Sequence, residues 1–122
     1  MHRPTRQEQA RAILNRRGHH IAAEILGRRP NSSADYAEAF NLEWIDLISE
    51  IPDPAALLAL GKNRAGPRDG LYILEDDNSY RVYVQERGIA THILSDAGFD
   101  DARDAAIEQL IMLQGLPHTP PG

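Results

Sequence analysis

The stretch that most restricts the fold is residues 71–95, LYILEDDNSYRVYVQERGIATHILS. Strict alternation in YRVYVQE places Tyr80, Val82 and Val84 on one face and Arg81, Tyr83 and Gln85 on the other. Asp76-Asp77-Asn78-Ser79 is a polar turn cluster, in which side chains bond the local backbone and Asn tolerates a left-handed conformation. In Glu86-Arg87-Gly88 the glycine supplies the positive φ of a second tight turn. Three short strands in an antiparallel meander follow, charged at both turns.

Helices are expected on either side. Thr5-Arg6-Gln7-Glu8 matches a capping box. Ile13, Leu14, Ile21 and Ile25 return at helical spacing, Gly18 predicts two short helices with a bend, and Gly27 predicts a stop. Tyr36, Phe40, Trp44, Leu47 and Ile48 form one apolar stripe, so a helical region is expected over 34–50, capped by Ser32 or Ser33 and ended by Pro52. Asp53-Pro54 predicts a short helix over 55–60. Asp100 is expected to cap a last helix over 101–114, whose stripe is Ala102, Ala106, Leu110 and Leu113, widened by Ile107 and Ile111. The expected fold is α+β: N-terminal helices, then a three-stranded antiparallel meander covered by a C-terminal helix. A chain of 122 residues suits a single domain, with residues 1–4 and 116–122 as mobile tails.

Charge and composition narrow the chemistry. Residues 1–30 hold seven arginines against two glutamates, a charge of +5, while the remainder holds six basic against sixteen acidic residues, or −10. So acidic a body repels nucleic acid and attracts basic proteins. The N-terminal arginines lack the interleaved aromatics of a nucleic-acid surface, and a helix face paired with the acidic body is expected instead. With no cysteine there is no disulfide or thiolate site, and no apolar run reaches the roughly 20 residues of a membrane span. A soluble cytoplasmic protein without a membrane partner is the simplest expectation.

No catalytic or cofactor constellation emerges. His19-His20 diverge by about 100° on a helix and cannot share a metal, so no metal site is expected, and exposed helix surface accounts for them. His92 is expected on a strand without a neighbouring ligand, and His2 and His118 in the tails. The glycines of LGKNRAGPRDG (60–70) resemble a phosphate loop in composition but not in spacing, which favours a turn-rich connector. Asp76-Asp77 and Asp100-Asp101 stand where turns and caps already call for Asp. For Glu86-Arg87-Gly88, a local ion pair and a partner-binding display both account for the residues, and the sequence leaves the two open.

The run GLYILEDDNSYRVYVQERG, with its Tyr-x-Val-Tyr strand, its Glu-Arg-Gly turn, Phe99 and an acidic start to the closing helix, resembles a group of small bacterial immunity proteins. These accompany polymorphic or contact-dependent growth-inhibition toxins. The resemblance spans about residues 70–113 and leaves out the N-terminal helices. It implies a non-enzymatic inhibitor that binds a cognate toxin domain, a nuclease in many such systems, one to one and without a cofactor. The expected contact surface is Asp76, Asp77, Tyr83, Glu86 and Arg87, with Glu43 and Asp46 as second choices. A homo-oligomeric regulatory or scaffold module, pairing through an open edge of the meander, is the alternative. A small enzyme ranks last, because no nucleophile, base and orienting group can be assembled from the spacing.

Overall fold

The computed structural model describes residues 3–116, which form six helices and one three-stranded antiparallel sheet of order β1-β2-β3. They divide into two compact units. One is built from the described residues up to Glu50 together with those from Leu110 on, the other from Ile51–Gln109. The fold is α+β, with the C-terminal helix packed on the sheet.

In the first unit, α1 (Arg6–Leu14) begins at the Thr5/Glu8 capping box, with both reciprocal bonds made. α2 (Gly18–Leu26) ends at Gly27 in the left-handed conformation. The two short helices expected around Gly18 are separate, and Gln114 spans the junction. Its Oε1 accepts the Gly18 N–H at 2.9 Å while its Nε2 donates to the Ile13 and Leu110 carbonyls at 2.8 and 2.9 Å. One buried amide thus serves the end of one helix and the start of the next, where the Ile13 carbonyl also accepts the Arg16 N–H at 3.1 Å.

The helix expected over 34–50 is two helices, α3 (Ser33–Ala39, capped by Ser32) and α4 (Trp44–Ser49). Phe40 turns extended after α3, and the fully buried Gln9 holds Asn41 from both sides. Gln9 donates to Asn41 Oδ1 at 2.7 Å, and its Oε1 accepts the Asn41 N–H at 3.1 Å. A new capping box, Glu43 with Asp46, then restarts the helix. The apolar stripe survives the break, since Tyr36, Trp44 and Leu47 are all buried.

Arg3 and Pro4, expected in a tail, are engaged: Arg3 donates to the Ala39 carbonyl, and the Pro4 carbonyl accepts from Gln9. At the other end, Gly115 and Leu116 close a Schellman motif on Met112 and Ile111. Leu116 is therefore buried, while Leu113, expected in the stripe, is 52% exposed. The chain reverses at Gly115 and brings Leu116 inside in its place. The segment 117–122 expected as a tail lies outside the described residues, as do His2 and His118.

Three of the first unit's arginines pair with its acids, as expected of that helical face. Arg6 reaches Asp46 and Glu43, Arg11 bonds Glu50, and Arg28 lies 2.9 Å from Asp35. The Arg28 hydrogen bond, followed by the Asn31 backbone N–H, pulls the Asp35 carboxyl from 3.8 down to about 2. The folded value lies below the unfolded one, so this contribution is complete above pH 3.8 and is lost as pH falls toward 2. A carbon-13 titration of Asp35 is expected to show a midpoint near 2 that returns toward 3.8 in Arg28→Ala. An unchanged midpoint in the variant would remove Arg28 as the cause.

In the second unit, α5 (Pro54–Leu58) starts at Asp53, which accepts the Ala56 N–H, with proline in the first turn. β1 (Gly70–Asp76), β2 (Ser79–Glu86) and β3 (Ile89–Ala97) follow. Both hairpin loops have two residues, Asp77-Asn78 and Arg87-Gly88, and all four have positive φ. Those are the signs of the turns whose twist matches paired strands.

Leu71, Ile73, Tyr80 and Val82 are buried on one sheet face. There the Phe99 ring of α6 (Phe99–Leu113) meets Tyr80 edge-on at 6.4 Å. α6 starts earlier than expected, because the Gly98 carbonyl accepts the Ala102 N–H and closes the first turn. Asp100 is thereby placed inside the first turn, where it suits the helix dipole and faces Arg103 at 3.3 Å.

Candidate functional site

The seven residues expected to form one surface fall in separate places. Asp76 and Asp77 stand at the β1–β2 turn, and Glu86 and Arg87 at the β2–β3 turn. These turns cap opposite ends of β2, about 24 Å apart at 3.4 Å per residue. Glu43 and Asp46 belong to the first unit, where both are engaged by Arg6. Asp46 also accepts the Glu43 N–H at 2.7 Å, and this bond with the Arg6 guanidinium holds its carboxyl below the usual range. Glu43 remains largely exposed.

Tyr83 is 5% exposed rather than displayed. It stacks face to face on Tyr72, its cross-strand partner, with ring centroids 4.9 Å apart and planes at 2°. The alternation correctly put Tyr83 opposite the Tyr80/Val82 face, but that second face is covered as well. The connection 62–69, expected as a polar connector, lies over it as a strap. Tyr72 Oη donates to the Gly66 and Arg68 carbonyls at 3.1 and 2.6 Å, and Gln85 Nε2 donates to the same two at 2.9 and 3.1 Å. Lys62 forms a parallel bridge to Tyr72, with its N–H on the Leu71 carbonyl and its own carbonyl accepting from Ile73.

At the β2–β3 turn, Glu86 and Arg87 are exposed, and the local ion pair allowed by the sequence does not form. Instead the Arg87 backbone N–H donates to Asp69 Oδ1 at 2.9 Å and ties the turn to the strap.

The β1–β2 end has a different character. Pairing of β2 with β3 is irregular on both sides of Val82, and Asp96 takes a φ of 52° within the irregular stretch. Such bulges re-aim side chains. Here Asp96 and Ser95 line a depression of about 250 Å³ together with Asp76, Ser79 and Arg81. Glu75 lies beside it and accepts from Tyr80 Oη at 2.9 Å; burial and then this bond raise the Tyr80 phenol above its usual 10.0. Asp76, Asp77 and Asp96 are exposed and make no ion pair among the described residues. Asp96 was missed in the sequence. Its signal was a Ser-Asp pair following the apolar Ile93-Leu94 of the strand.

Two further features sit in the first unit. A mostly apolar cleft of about 240 Å³ is lined by Tyr36, Phe40, Trp44 and Leu47, with Glu43 at its edge. His19 and His20 are exposed as expected, and His19 Nδ1 bonds Tyr36 Oη. The side chain of His92 lies outside the described residues. Among the described residues no group of three His, Asp or Glu side chains is placed to hold a metal, and no helix is long and apolar enough to cross a membrane. Compared with known proteins, the chain matches no family model, no curated protein and no solved structure.

Proposed function

We propose that this chain is a stoichiometric protein inhibitor of the immunity type, which binds a basic toxin domain and performs no chemistry of its own. The observation that carries the reading is the acidic end of the sheet, where Asp76, Asp77 and Asp96 stand exposed and form no ion pair among the described residues, with Arg81 the one cation lining the same depression. A basic cleft in a partner would gain these three carboxylates and be steered to them from a distance. The contact surface is accordingly narrower than the sequence suggested. Asp96 joins it, Tyr83 leaves it, and Glu86 and Arg87 lie too far along β2 to share it. The toxin itself enters only through the resemblance of residues 70–113.

The test is affinity capture from a lysate of the source organism with the tagged chain, eluted by rising salt. One basic protein should be recovered in equal amount and released as ionic strength rises. Its affinity should fall about tenfold or more when Asp76, Asp77 and Asp96 are all changed to Lys. Full retention of that partner by the folded triple variant would remove the acidic end from the interface.

One observation favours the homo-oligomeric alternative. β3 is an edge strand, and Ile89 at its start is 71% exposed. An unpaired edge invites a second strand, although the bulged remainder of β3 discourages a long ladder. Size-exclusion mass decides between the two: a dimer without any partner, dissociated by Ile89→Lys, would support the module reading.

A further inference from the structure

Charge is distributed unevenly within the second unit, and in the opposite sense to the acidic end. Of its six cations, only Arg103 has a carboxylate within 4.0 Å among the described residues. Three of the others, Lys62, Arg64 and Arg68, stand together on the strap. They line an open depression of about 320 Å³ with Gly66, Pro67 and Tyr72. In the first unit, by contrast, Arg6, Arg11 and Arg28 face carboxylates of their own unit.

The strap is held in a way that suits recognition. It is clamped through the backbone at Lys62, Gly66 and Arg68 and through the Asp69 carboxylate, in each case by hydrogen bonds to the sheet or its turn. The charged ends are left outward, and every residue from 62 to 69 is exposed. Lys62 Nζ lies 5.7 Å over the Tyr72 ring, Tyr72 stacks on Tyr83, and the Arg81 guanidinium lies 5.6 Å over Tyr83. Cations seated on aromatic faces lose little further freedom when they meet an anion, and a preformed backbone lowers the cost of binding.

We propose that the strap is a docking site for an acidic protein segment, whose carboxylates are taken by Lys62, Arg64 and Arg68. Charge complementarity selects the partner's sign, and the tyrosines select its class. Single-stranded nucleic acid needs open ring faces for base stacking, and here Tyr72 and Tyr83 are 1% and 5% exposed and already stacked. The net negative charge of the chain further disfavours a long polyanion over a short acidic segment. This site is independent of the immunity reading, because it uses the opposite charge.

The test is titration of a fluorescent twelve-residue Glu-rich peptide into the full chain at several salt concentrations. Binding is expected at low salt, weakening as salt rises, and Arg64→Ser/Arg68→Ser should reduce the affinity at least about tenfold. Only backbone atoms of these two residues carry the clamp, so the melting temperature should stay unchanged. Arg17→Ser/Arg29→Ser, which removes as much charge from the first unit, should bind as the parent does. Asp76→Lys/Asp77→Lys/Asp96→Lys should not weaken the peptide, which keeps this result separate from failure of the immunity reading. Absence of peptide binding, equal losses in the two arginine variants, or tighter binding of single-stranded DNA of equal charge would each overturn the proposal.

Discussion

Gln114→Ala is expected to lower unfolding free energy by about 2–3 kcal/mol. The side chain is 9% exposed and makes three hydrogen bonds, one through Oε1 and two through Nε2. Alanine leaves the Gly18 N–H buried without that partner, while the Ile13 carbonyl keeps the Arg16 N–H, and a buried polar group left unpaired costs about 1–3 kcal/mol. Glutamate is no rescue, since it keeps the acceptor but loses both donor bonds and buries a charge. Urea unfolding followed by circular dichroism measures the effect. A loss below about 1 kcal/mol would mean that water replaces the amide and that the splint is unimportant. Gly18→Ala should act on the same spot from the other side. A Cβ there would lie 2.7 Å from Leu116 Cδ1 and 2.8 Å from Gln114 Oε1, so the two substitutions should not add.

In the second unit, Gly61→Ala should cost about 2–3 kcal/mol, equivalent to a fall of roughly 10 °C in Tm. The added Cβ would sit 2.7 Å from the Leu71 carbonyl oxygen, a backbone atom that already accepts the Lys62 N–H. Neither group can rotate away, so either β1 or the start of the strap must shift. Gly66→Ala is the matched control in the same connection. Its Cβ would meet only Tyr72 Oη, at 3.8 Å, an ordinary contact, and its effect should stay within about 0.5 kcal/mol. Thermal melts of the two variants side by side test the strap's close approach. Equal melting temperatures would show that the Gly61 contact relaxes freely.

Much of the secondary structure was legible because its causes are local. The Thr5/Glu8 box, Ser32, Asp53-Pro54, Gly27 and the two hairpin turns are each specified within a few residues, and all of them form. The alternation in β2 sorted its side chains onto the right faces. What alternation cannot tell is whether the second face is solvent or protein, and the Tyr83 error arose from that gap. The strap that covers Tyr83 is held by Tyr72 and Gln85 reaching backbone carbonyls, and such bonds leave no periodicity in the chain.

The candidate site was legible in chemistry but not in arrangement. Asp76 and Asp77 were readable as exposed turn acids, whereas Asp96 depended on an irregular β2–β3 pairing. Glu86 and Arg87 were grouped with them by closeness in sequence, yet an eight-residue strand holds the two turns apart.

By itself, then, the sequence determined the elements, their caps and turns, and the α+β class, since each follows from a few neighbouring side chains and the period of the backbone. Only the tertiary structure decided where the breaks fall and which surfaces remain open. Gln9 and Gln114 split or splint helices through partners 32 and 96 residues away. The physical reason is that a buried amide or carbonyl must find a partner somewhere, and where it finds one is a property of the packed chain.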